Sequence, residues 1–257
     1  MVDLLSTRWF AVDWGTSHMR VYAMDADDDV IARGTGPGMG EIAAGAGSRS
    51  KAFEEALLSA LSRMMETDAV QTRDLPPVVM CGMVGSRQGW QEAGYLSTPQ
   101  SLDTLHEKVI RVDTRHSGLQ DVHIVPGISQ SDPPDVMRGE ETQLAGFVGQ
   151  EAQFGLVSGR VCLPGTHSKW AVLERGTLRG FTTYLTGELF DLLSKRSILA
   201  HSVGSKTMDR DVFYETVRAC AKGKLNLSEA LFSIRAKGLL TGEDAAAARG
   251  RLSGLLI

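Results

Sequence analysis

The residues best suited to chemistry near the start of the chain are Asp13, Gly15, Thr16 and Ser17. They follow an apolar run at 9–12 that predicts a strand, and a second run with alternating apolar side chains follows them. Gly15 allows a tight turn, and the two hydroxyls add to the backbone amides exposed there, so this corner can bind phosphate oxygens. Asp13 would repel phosphate unless a cation such as Mg²⁺ lay between them. The alternative is an ordinary hairpin corner with a surface aspartate.

A second stretch repeats this design in the other half of the chain. An apolar run leads to Gly165 and Thr166, then His167, Ser168 and Lys169, and another apolar run follows. Two similar halves, each with a corner of hydroxyl and amide donors, predict two domains that bind one nucleotide from opposite sides. Lys169 either contributes to phosphate binding or, as a strand residue, faces solvent.

A glycine-rich loop forms a third candidate site. The run 76–81 predicts a short buried strand, and the loop from Gly82 to Trp90 follows it. In open α/β sheets, ligands bind just beyond the carboxyl ends of strands. Arg87 could pair with a carboxylate, and Trp90 could form a wall of the pocket. The alternative for Arg87 is a solvated surface group, which is the usual state of an arginine in such a loop.

Two neighbouring acids, Glu140 and Glu141, open a predicted helix at 140–150. Acids in a first helical turn interact favourably with the helix dipole, and that role alone could explain them. Either carboxylate could also serve as a general base.

Four motifs contain these candidate residues. In chain order they are Asp13-Trp-Gly-Thr-Ser17, Cys81-Gly-Met-Val-Gly-Ser-Arg-Gln-Gly-Trp90, Arg138-Gly-Glu-Glu-Thr-Gln143 and Leu163-Pro-Gly-Thr-His-Ser-Lys-Trp170. Together they resemble the motifs of the sugar-kinase, actin and Hsp70 superfamily, in which two ribonuclease-H-like domains bind ATP between paired phosphate hairpins. Within that superfamily they are similar to the motifs of the 2-dehydro-3-deoxygalactonokinase family, and the resemblance runs from about Trp9 to the end of the chain.

The resemblance implies an ATP-dependent kinase that phosphorylates the 6-hydroxyl of 2-dehydro-3-deoxy-D-galactonate. Glu141 would be the base, with Glu140 as the neighbouring alternative, and Asp13 would support Mg²⁺. Alternatives are a kinase for another keto sugar acid or sugar, or a non-catalytic actin-like module that binds nucleotide or sugar. The implied phosphate-binding residues are Gly15, Thr16, Ser17, Gly165, Thr166, His167, Ser168 and Lys169, and the implied sugar-binding residues are Gly82, Ser86, Arg87 and Trp90.

The predicted fold is therefore α/β, with two ribonuclease-H-like domains at residues 1–130 and 131–257 around an interdomain cleft. The polar, proline-containing stretch 129–135 predicts the linker between them. A helix with Ser50 as its cap is predicted at 50–66. The apolar end of the chain at 255–257 indicates that the second domain is incomplete, so the adenine-binding residues are expected beyond it. A meander is predicted at 156–163, 169–173 and 177–183, and helices at 209–221, 228–236 and 242–252.

Composition narrows the partners and the compartment. Of 257 residues, 42% are hydrophobic and 23% are charged, as in an ordinary soluble domain. A formal net charge of −4 argues against nucleic acid or an anionic membrane as the main partner. Three widely spaced cysteines and the lack of a signal-like or membrane-spanning run predict a cytoplasmic protein. The expected partner is a small sugar acid, and a homodimer is left open. No P-loop or GxSxG motif occurs.

Overall fold

A computed structural model describes residues 6–43, 48–66, 74–151, 157–223 and 225–257, which form a mixed α/β fold. In chain order, the strands are β1 (Trp9–Trp14), β2 (His18–Met24), β3 (Val30–Pro37), β4 (Val78–Gly82), β5 (Tyr95–Ser97), β6 (Gln100–Ser101), β7 (Ile110–Arg111), β8 (Val122–Ile124), β9 (Gly127–Ser131), β10 (Pro134–Met137), β11 (Gly159–Leu163), β12 (Ser168–Glu174) and β13 (Thr177–Tyr184). The helices are α1 (Met39–Ala43), α2 (Arg49–Met65), α3 (Glu140–Glu151), α4 (Gly187–Arg196), α5 (Arg210–Ala221), α6 (Leu227–Leu240) and α7 (Ala245–Leu256).

A six-stranded sheet with the order β3-β2-β1-β4-β8-β7 carries the first candidate site. Strands β1 and β2 pair antiparallel, as do β2 and β3, whereas β1, β4 and β8 run parallel. Side chains alternate between the two faces of β1, so Phe10, Val12 and Trp14 are buried. Helix α2 packs Phe53 against Trp14, with ring centroids 5.2 Å apart. The predicted strands at the start of the chain are confirmed.

The first turn of α2 differs from the prediction. The residue that precedes the helix is Ser48, whose side chain makes no capping hydrogen bond. Ser50 lies inside the helix, and its hydroxyl accepts a hydrogen bond from the indole nitrogen of Trp90 at 3.1 Å. The prediction of Ser50 as the cap is therefore wrong, because its hydroxyl has a partner distant in sequence that no local pattern indicates.

The predicted linker at 129–135 is a hairpin. Strands β9 and β10 pair antiparallel, with Ser131 opposite Pro134, and β9 also pairs in parallel with β5. The side chain of Gln130 accepts a hydrogen bond from the backbone amide of Phe181 at 2.8 Å. The stretch predicted as a linker thus forms a hairpin, since two adjacent prolines and several polar side chains are as typical of a hairpin turn as of a linker.

The second half begins with the predicted meander, in a sheet with the order β11-β12-β13-β6. Residue 156, where the first of these strands was predicted to begin, lies outside the described residues. Apolar side chains alternate along β12, where Ala171 and Leu173 are buried. The meander and the three helices predicted after residue 209 are confirmed.

The chain divides into two compact units. Unit 1 contains residues 1–161 and 171–182, and unit 2 contains 162–170 and 183–257. Both sides of the predicted boundary at 130/131 lie inside unit 1, because β9, β10 and α3 belong to it.

Unit 2 is a helical assembly with its own small core, in which Leu199, Ile234 and Leu252 are buried. Side chains of Asp209, Asn226 and Asp244 cap helices α5, α6 and α7 through backbone amides of their first turns. Among the described helices of both units, none combines the length and the apolar character that crossing a bilayer requires.

A glycine-to-alanine pair tests how the first corner is held. A Cβ at Gly38 would lie 2.3 Å from the backbone of Thr16 and Ser17, whereas a Cβ at the exposed helical Gly146 would meet nothing within 4 Å. We expect Gly38→Ala to lower the free energy of unfolding by about 2 kcal/mol or more, since backbone atoms must move. We expect Gly146→Ala to raise it by about 0.5–1 kcal/mol. Urea denaturation measures both changes, and equal effects would contradict the described packing.

Candidate active site

The candidate site lies at the carboxyl ends of β1 and β4 in unit 1. The parallel register places Asp13 beside Cys81 and Trp14 beside Gly82. Gly82 has a φ of +92°, and a Cβ there would lie 2.8 Å from the carbonyl oxygen of Trp14. A side chain at this position would therefore be strained and would force the two strand ends apart. This glycine allows β4 to end in close contact with β1.

A second glycine brings the start of α3 to the same edge of the sheet. Gly139 has a φ of +110°, and a Cβ on it would lie 3.3 Å from the Cα of Gly82. The chain that enters α3 thus runs directly against the end of β4. Because Glu140 and Glu141 follow at once, their charges, like that of Asp13, act on Cys81 at this edge.

Glu141 is fully buried, with 0% of its surface exposed. Both of its carboxylate oxygens accept a hydrogen bond from the amide of Gly139, at 2.8 and 2.7 Å, and the hydroxyl of Thr142 donates to one of them at 3.2 Å. Burial raises the pKa of Glu141 to about 7, although hydrogen bonds from the backbone amides oppose the shift. The side chain can therefore exist in both protonation states near neutral pH.

Several negative charges act on the thiol of Cys81. Burial, followed by the charges of Glu141 and Asp13, raises the pKa of the Cys81 thiol far above its usual range. The thiol is therefore neutral and is unsuited to act as a nucleophile or as a thiolate ligand. Among the described residues, no three His, Cys, Asp or Glu side chains are grouped so that they could hold a metal ion.

Asp13 has a partner that the sequence did not indicate. Its carboxylate accepts a hydrogen bond from the guanidinium of Arg20, the residue opposite it in β2, at 2.7 Å. Both side chains are partly exposed, so the pair is weak and can exchange for another partner. The side chains of Thr16 and Ser17 are exposed beside it.

Hydrogen bonds hold the backbone of the first corner. The amide of Gly15 donates to His18 at 2.9 Å, and the amides of Met39 and Gly40 donate to the carbonyl oxygens of Gly15 and Thr16, both at 3.0 Å. The segment that follows β3 therefore fixes the turn on which the exposed hydroxyls lie.

The second corner lies in unit 2 and is fixed by the start of α4. The hydroxyl of Thr186 lies 2.5 Å from that of Ser168, and the amides of Gly187 and Glu188 donate to the carbonyl oxygens of Gly165 and Thr166 at 3.3 and 3.0 Å. The first amides of this helix thus bind the corner itself. His167 and Glu188 pair through their side chains at 2.5 Å. Lys169 is buried.

In the loop after β4, some of the predicted sugar-binding residues are buried and one is exposed. Trp90 is buried and packs on Trp14 and Phe53, with ring centroids 6.4 and 6.1 Å apart. The side chain of Arg87 is 83% exposed and lies 3.7 Å from Glu92. Ser86 is buried, and its hydroxyl oxygen has no hydrogen-bond partner in the part of the chain that the structure describes. The structure thus brings Asp13, Gly82, Glu140 and Glu141 together, whereas Arg87 faces solvent.

Sequence reasoning passed over Arg138, which directly precedes Gly139. Two of its guanidinium nitrogens are buried and have no hydrogen-bond partner within the described ranges, and the group lies 4.3 Å from the centre of the Tyr95 ring. The available signal was its place in the motif that contains both glutamates. An arginine two or three residues before two glutamates is usually interpreted as their ion-pair partner. The sequence does not show that its guanidinium lies beside Tyr95 instead.

Comparisons with known proteins agree on one family. The family model described as 2-keto-3-deoxy-galactonokinase matches residues 13–257. A protein of Rhizobium meliloti (strain 1021), named probable 2-dehydro-3-deoxygalactonokinase, is 40% identical over 253 residues, which are 96% of this chain and 77% of that protein. The 2-dehydro-3-deoxygalactonokinase of Escherichia coli (strain K12) is 31% identical over 255 residues, or 98% of this chain and 79% of that protein.

A solved structure has the same fold. The crystal structure of a Sinorhizobium meliloti protein, which carries a provisional assignment as a 2-dehydro-3-deoxygalactonokinase, superposes with a TM-score of 0.81 at 38% identity. The match covers 96% of this chain and 78% of that one.

The raised pKa of Glu141 predicts how Glu141→Gln changes stability with pH. The folded carboxyl titrates at about 7 and the unfolded one near 4.5, so the folded state binds more protons between these values. The stability that this group contributes is present below about pH 4.5 and is lost as the pH rises through 7. We expect the variant to gain on the order of 2 kcal/mol relative to wild type between pH 5 and pH 8.

Urea denaturation at several pH values measures this difference. Glu55→Gln, which removes an exposed negative charge from α2, is the matched control for the change in net charge. Parallel stability curves for wild type and Glu141→Gln would contradict a raised pKa.

Proposed function

Because the chain belongs to the 2-keto-3-deoxy-galactonokinase family, we propose that it transfers the γ-phosphoryl group of ATP to the 6-hydroxyl of 2-dehydro-3-deoxy-D-galactonate. Enzymes of this kind are phosphotransferases with an alcohol group as acceptor. The observation that best supports an active-site role for a particular residue is the buried carboxyl of Glu141, whose pKa lies near neutrality.

Glu141 is the proposed general base. Phosphoryl transfer to an alcohol requires positioning, neutralisation of the phosphate charge and a group that accepts the hydroxyl proton. A base works best when its pKa lies near the working pH, and Glu141 meets this condition. As O6 forms its bond to the γ-phosphorus, the O6 proton passes to the carboxylate, and the bond between this phosphorus and the β,γ-bridging oxygen breaks. ADP leaves with that oxygen, and the carboxyl then returns the proton to solvent.

Glu140 is the less favoured candidate for this role. Its carboxylate accepts a hydrogen bond from the backbone amide of Arg138 at 3.1 Å, and the residue is only partly buried. That arrangement suits a residue that holds the turn before α3. Glu141 is the more deeply buried acid and lies in an environment that disfavours its charge, which supports its assignment as the base.

Each corner is proposed, within its own unit, as a binding site for phosphate. The exposed hydroxyls of Thr16 and Ser17, the turn at Gly15, and residues 165–169 would supply the donors. Asp13 fits a role in holding Mg²⁺, since this ion commonly takes one protein carboxylate plus phosphate oxygens and the Arg20 pair is weak enough to open. When bound, the ion would neutralise phosphate charge. The segment 82–90 is proposed to border the sugar acid.

Two finer proposals concern architecture and compartment. We propose that unit 1 is a ribonuclease-H-like domain, which the antiparallel β3-β2-β1 meander followed by the parallel strands β4 and β8 supports. We propose the same fold for the domain that contains unit 2. A cytoplasmic location is proposed as well, since the three cysteines are free thiols and the cosubstrate is ATP.

Substitution of the two glutamates tests the proposed base. We expect Glu141→Gln to lower kcat for the sugar acid by about 10²–10⁴-fold, because the amide cannot accept the proton. The dissociation constant for ATP should change less than about threefold, since the variant alters no phosphate donor. A coupled assay of ADP formation measures the first quantity, and equilibrium titration with ATP measures the second.

Glu140→Gln is the matched control, and it should retain most of the wild-type kcat. A large loss in Glu140→Gln with an active Glu141→Gln would move the base to the neighbouring acid. Wild-type protein without activity toward the sugar acid would contradict the proposed function altogether.

A further inference from the structure

Arg138 is a half-buried residue whose guanidinium donors are largely unused. Its Nε and Nη1 atoms are buried and have no hydrogen-bond partner among the described residues. Its Nη2 atom donates only a long hydrogen bond, 3.4 Å, to the carbonyl oxygen of Gly94. None of the ion pairs found among the described residues includes it. Since buried donors without acceptors are unfavourable, this guanidinium lacks an acceptor that a ligand can supply.

The guanidinium is held in one orientation. It lies over the Tyr95 ring, 4.3 Å from the ring centre, where the π-electrons attract the cation. The ring itself packs against Gly127, where a Cβ would lie 2.7 Å from the Tyr95 edge. A cation fixed in this way loses little side-chain freedom when it binds an anion, so it is preorganised for recognition.

A second unpartnered group directly follows a loop residue that lies beside this cation. A Cβ at Gly85 would lie 3.0 Å from the Nη1 atom of Arg138, so the loop after β4 passes directly beside the guanidinium. Ser86 is the following residue, and its buried hydroxyl also has no partner. Two buried donor groups without acceptors thus belong to adjoining segments, which is the composition of a site for an oxygen-rich anion.

The position of this group relative to the proposed base fits the proposed substrate. Arg138 and Glu141 are three residues apart and belong to the same unit, on the two sides of Gly139. The sugar acid carries a carboxylate at C1 and the acceptor hydroxyl at C6. One end of this molecule therefore requires a cation, while its other end requires a base.

We infer that Arg138, with Ser86 of the adjoining loop, binds the C1 carboxylate of the sugar acid and so sets the specificity of the kinase for acids over neutral sugars. This inference rests on the proposed function. A guanidinium is well suited to a carboxylate, and burial strengthens the pair. The alternative cation, Arg87, is 83% exposed, and an ion pair at such a position contributes little.

Kinetics with an acid and a neutral substrate test the inference. The probes are 2-dehydro-3-deoxy-D-galactonate and its C1 amide, assayed with wild type, Arg138→Gln and, as the matched control, Arg87→Gln. We expect Arg138→Gln to lower kcat/KM for the acid about 10²-fold or more, mainly through KM, and to change it less than threefold for the amide. We expect Arg87→Gln, whose guanidinium is exposed, to lower kcat/KM for the acid by a smaller factor than Arg138→Gln does. The dissociation constant for ATP should stay within threefold of wild type in each variant.

Two further measurements keep a folding defect apart from a binding defect. Arg138→Lys retains the charge and loses the planar fork, so its loss should fall between those of wild type and Arg138→Gln. The Tm of Arg138→Gln should stay within a few degrees of wild type, since the described structure gives the guanidinium few protein partners. A variant that unfolds would instead assign Arg138 a structural role and overturn the inference.

The remaining outcomes separate this inference from the proposed function. Wild type that does not phosphorylate the acid overturns both. Wild type that phosphorylates the acid, with unchanged discrimination in Arg138→Gln, overturns the inference alone. Lost discrimination in Arg87→Gln moves the carboxylate site to Arg87, and a raised dissociation constant for ATP in Arg138→Gln assigns the guanidinium to phosphate.

Discussion

The candidate active site depends on a carboxyl group, that of Glu141, which is buried at the end of a parallel strand. Glu141 is buried because Gly82 and Gly139, both with positive φ, let the start of α3 lie directly on the end of β4. Burial disfavours the charged form, and the Gly139 amide that donates to both oxygens limits this effect without abolishing it. The balance between burial and hydrogen bonding places the pKa near neutrality, where a carboxyl can both accept and release a proton.

The surroundings of this group divide by charge. Asp13 and Glu140 add negative charge near Cys81, while Arg20 lies on the outer side of Asp13 and Arg138 points toward Gly85 and Tyr95. A phosphoryl donor and a sugar acid both bring negative charge, so each must meet a cation before it can approach the carboxylates. In the proposed arrangement, Asp13 acts with Mg²⁺ on the nucleotide side, and Arg138 acts on the sugar side.

Much of the fold followed from local patterns in the sequence. Apolar runs predicted β1 and β12, alternation predicted β2, and apolar spacing predicted α2, because each of these elements buries a regular set of side chains. The hairpin at 129–135 was missed, since its turn chemistry matches that of a linker. Ser50 was misassigned because its partner, Trp90, lies forty residues away and no local rule connects them.

The candidate site was only partly predictable, for a related reason. Motif order indicated Glu141 and the two corners, but the direction in which a long side chain leaves its segment depends on tertiary packing. Arg87 and Arg138 both lie in glycine-containing motifs, and the sequence alone does not distinguish their environments. Only the structure distinguishes the exposed guanidinium of Arg87 from that of Arg138, with its buried nitrogens. The Arg20 pair of Asp13 likewise depends on a cross-strand register.

The most direct test of the account is the titration of the Glu141 carboxyl itself. Protein labelled with ¹³C at the glutamate side-chain carboxyl carbons can be followed by NMR as the pH is varied, and the resonance absent from Glu141→Gln identifies the residue. We expect this resonance to titrate with a pKa of about 7, since burial raises the pKa of Glu141. A midpoint near 4.5, the ordinary value for a glutamate, would contradict the buried base on which the proposed mechanism rests.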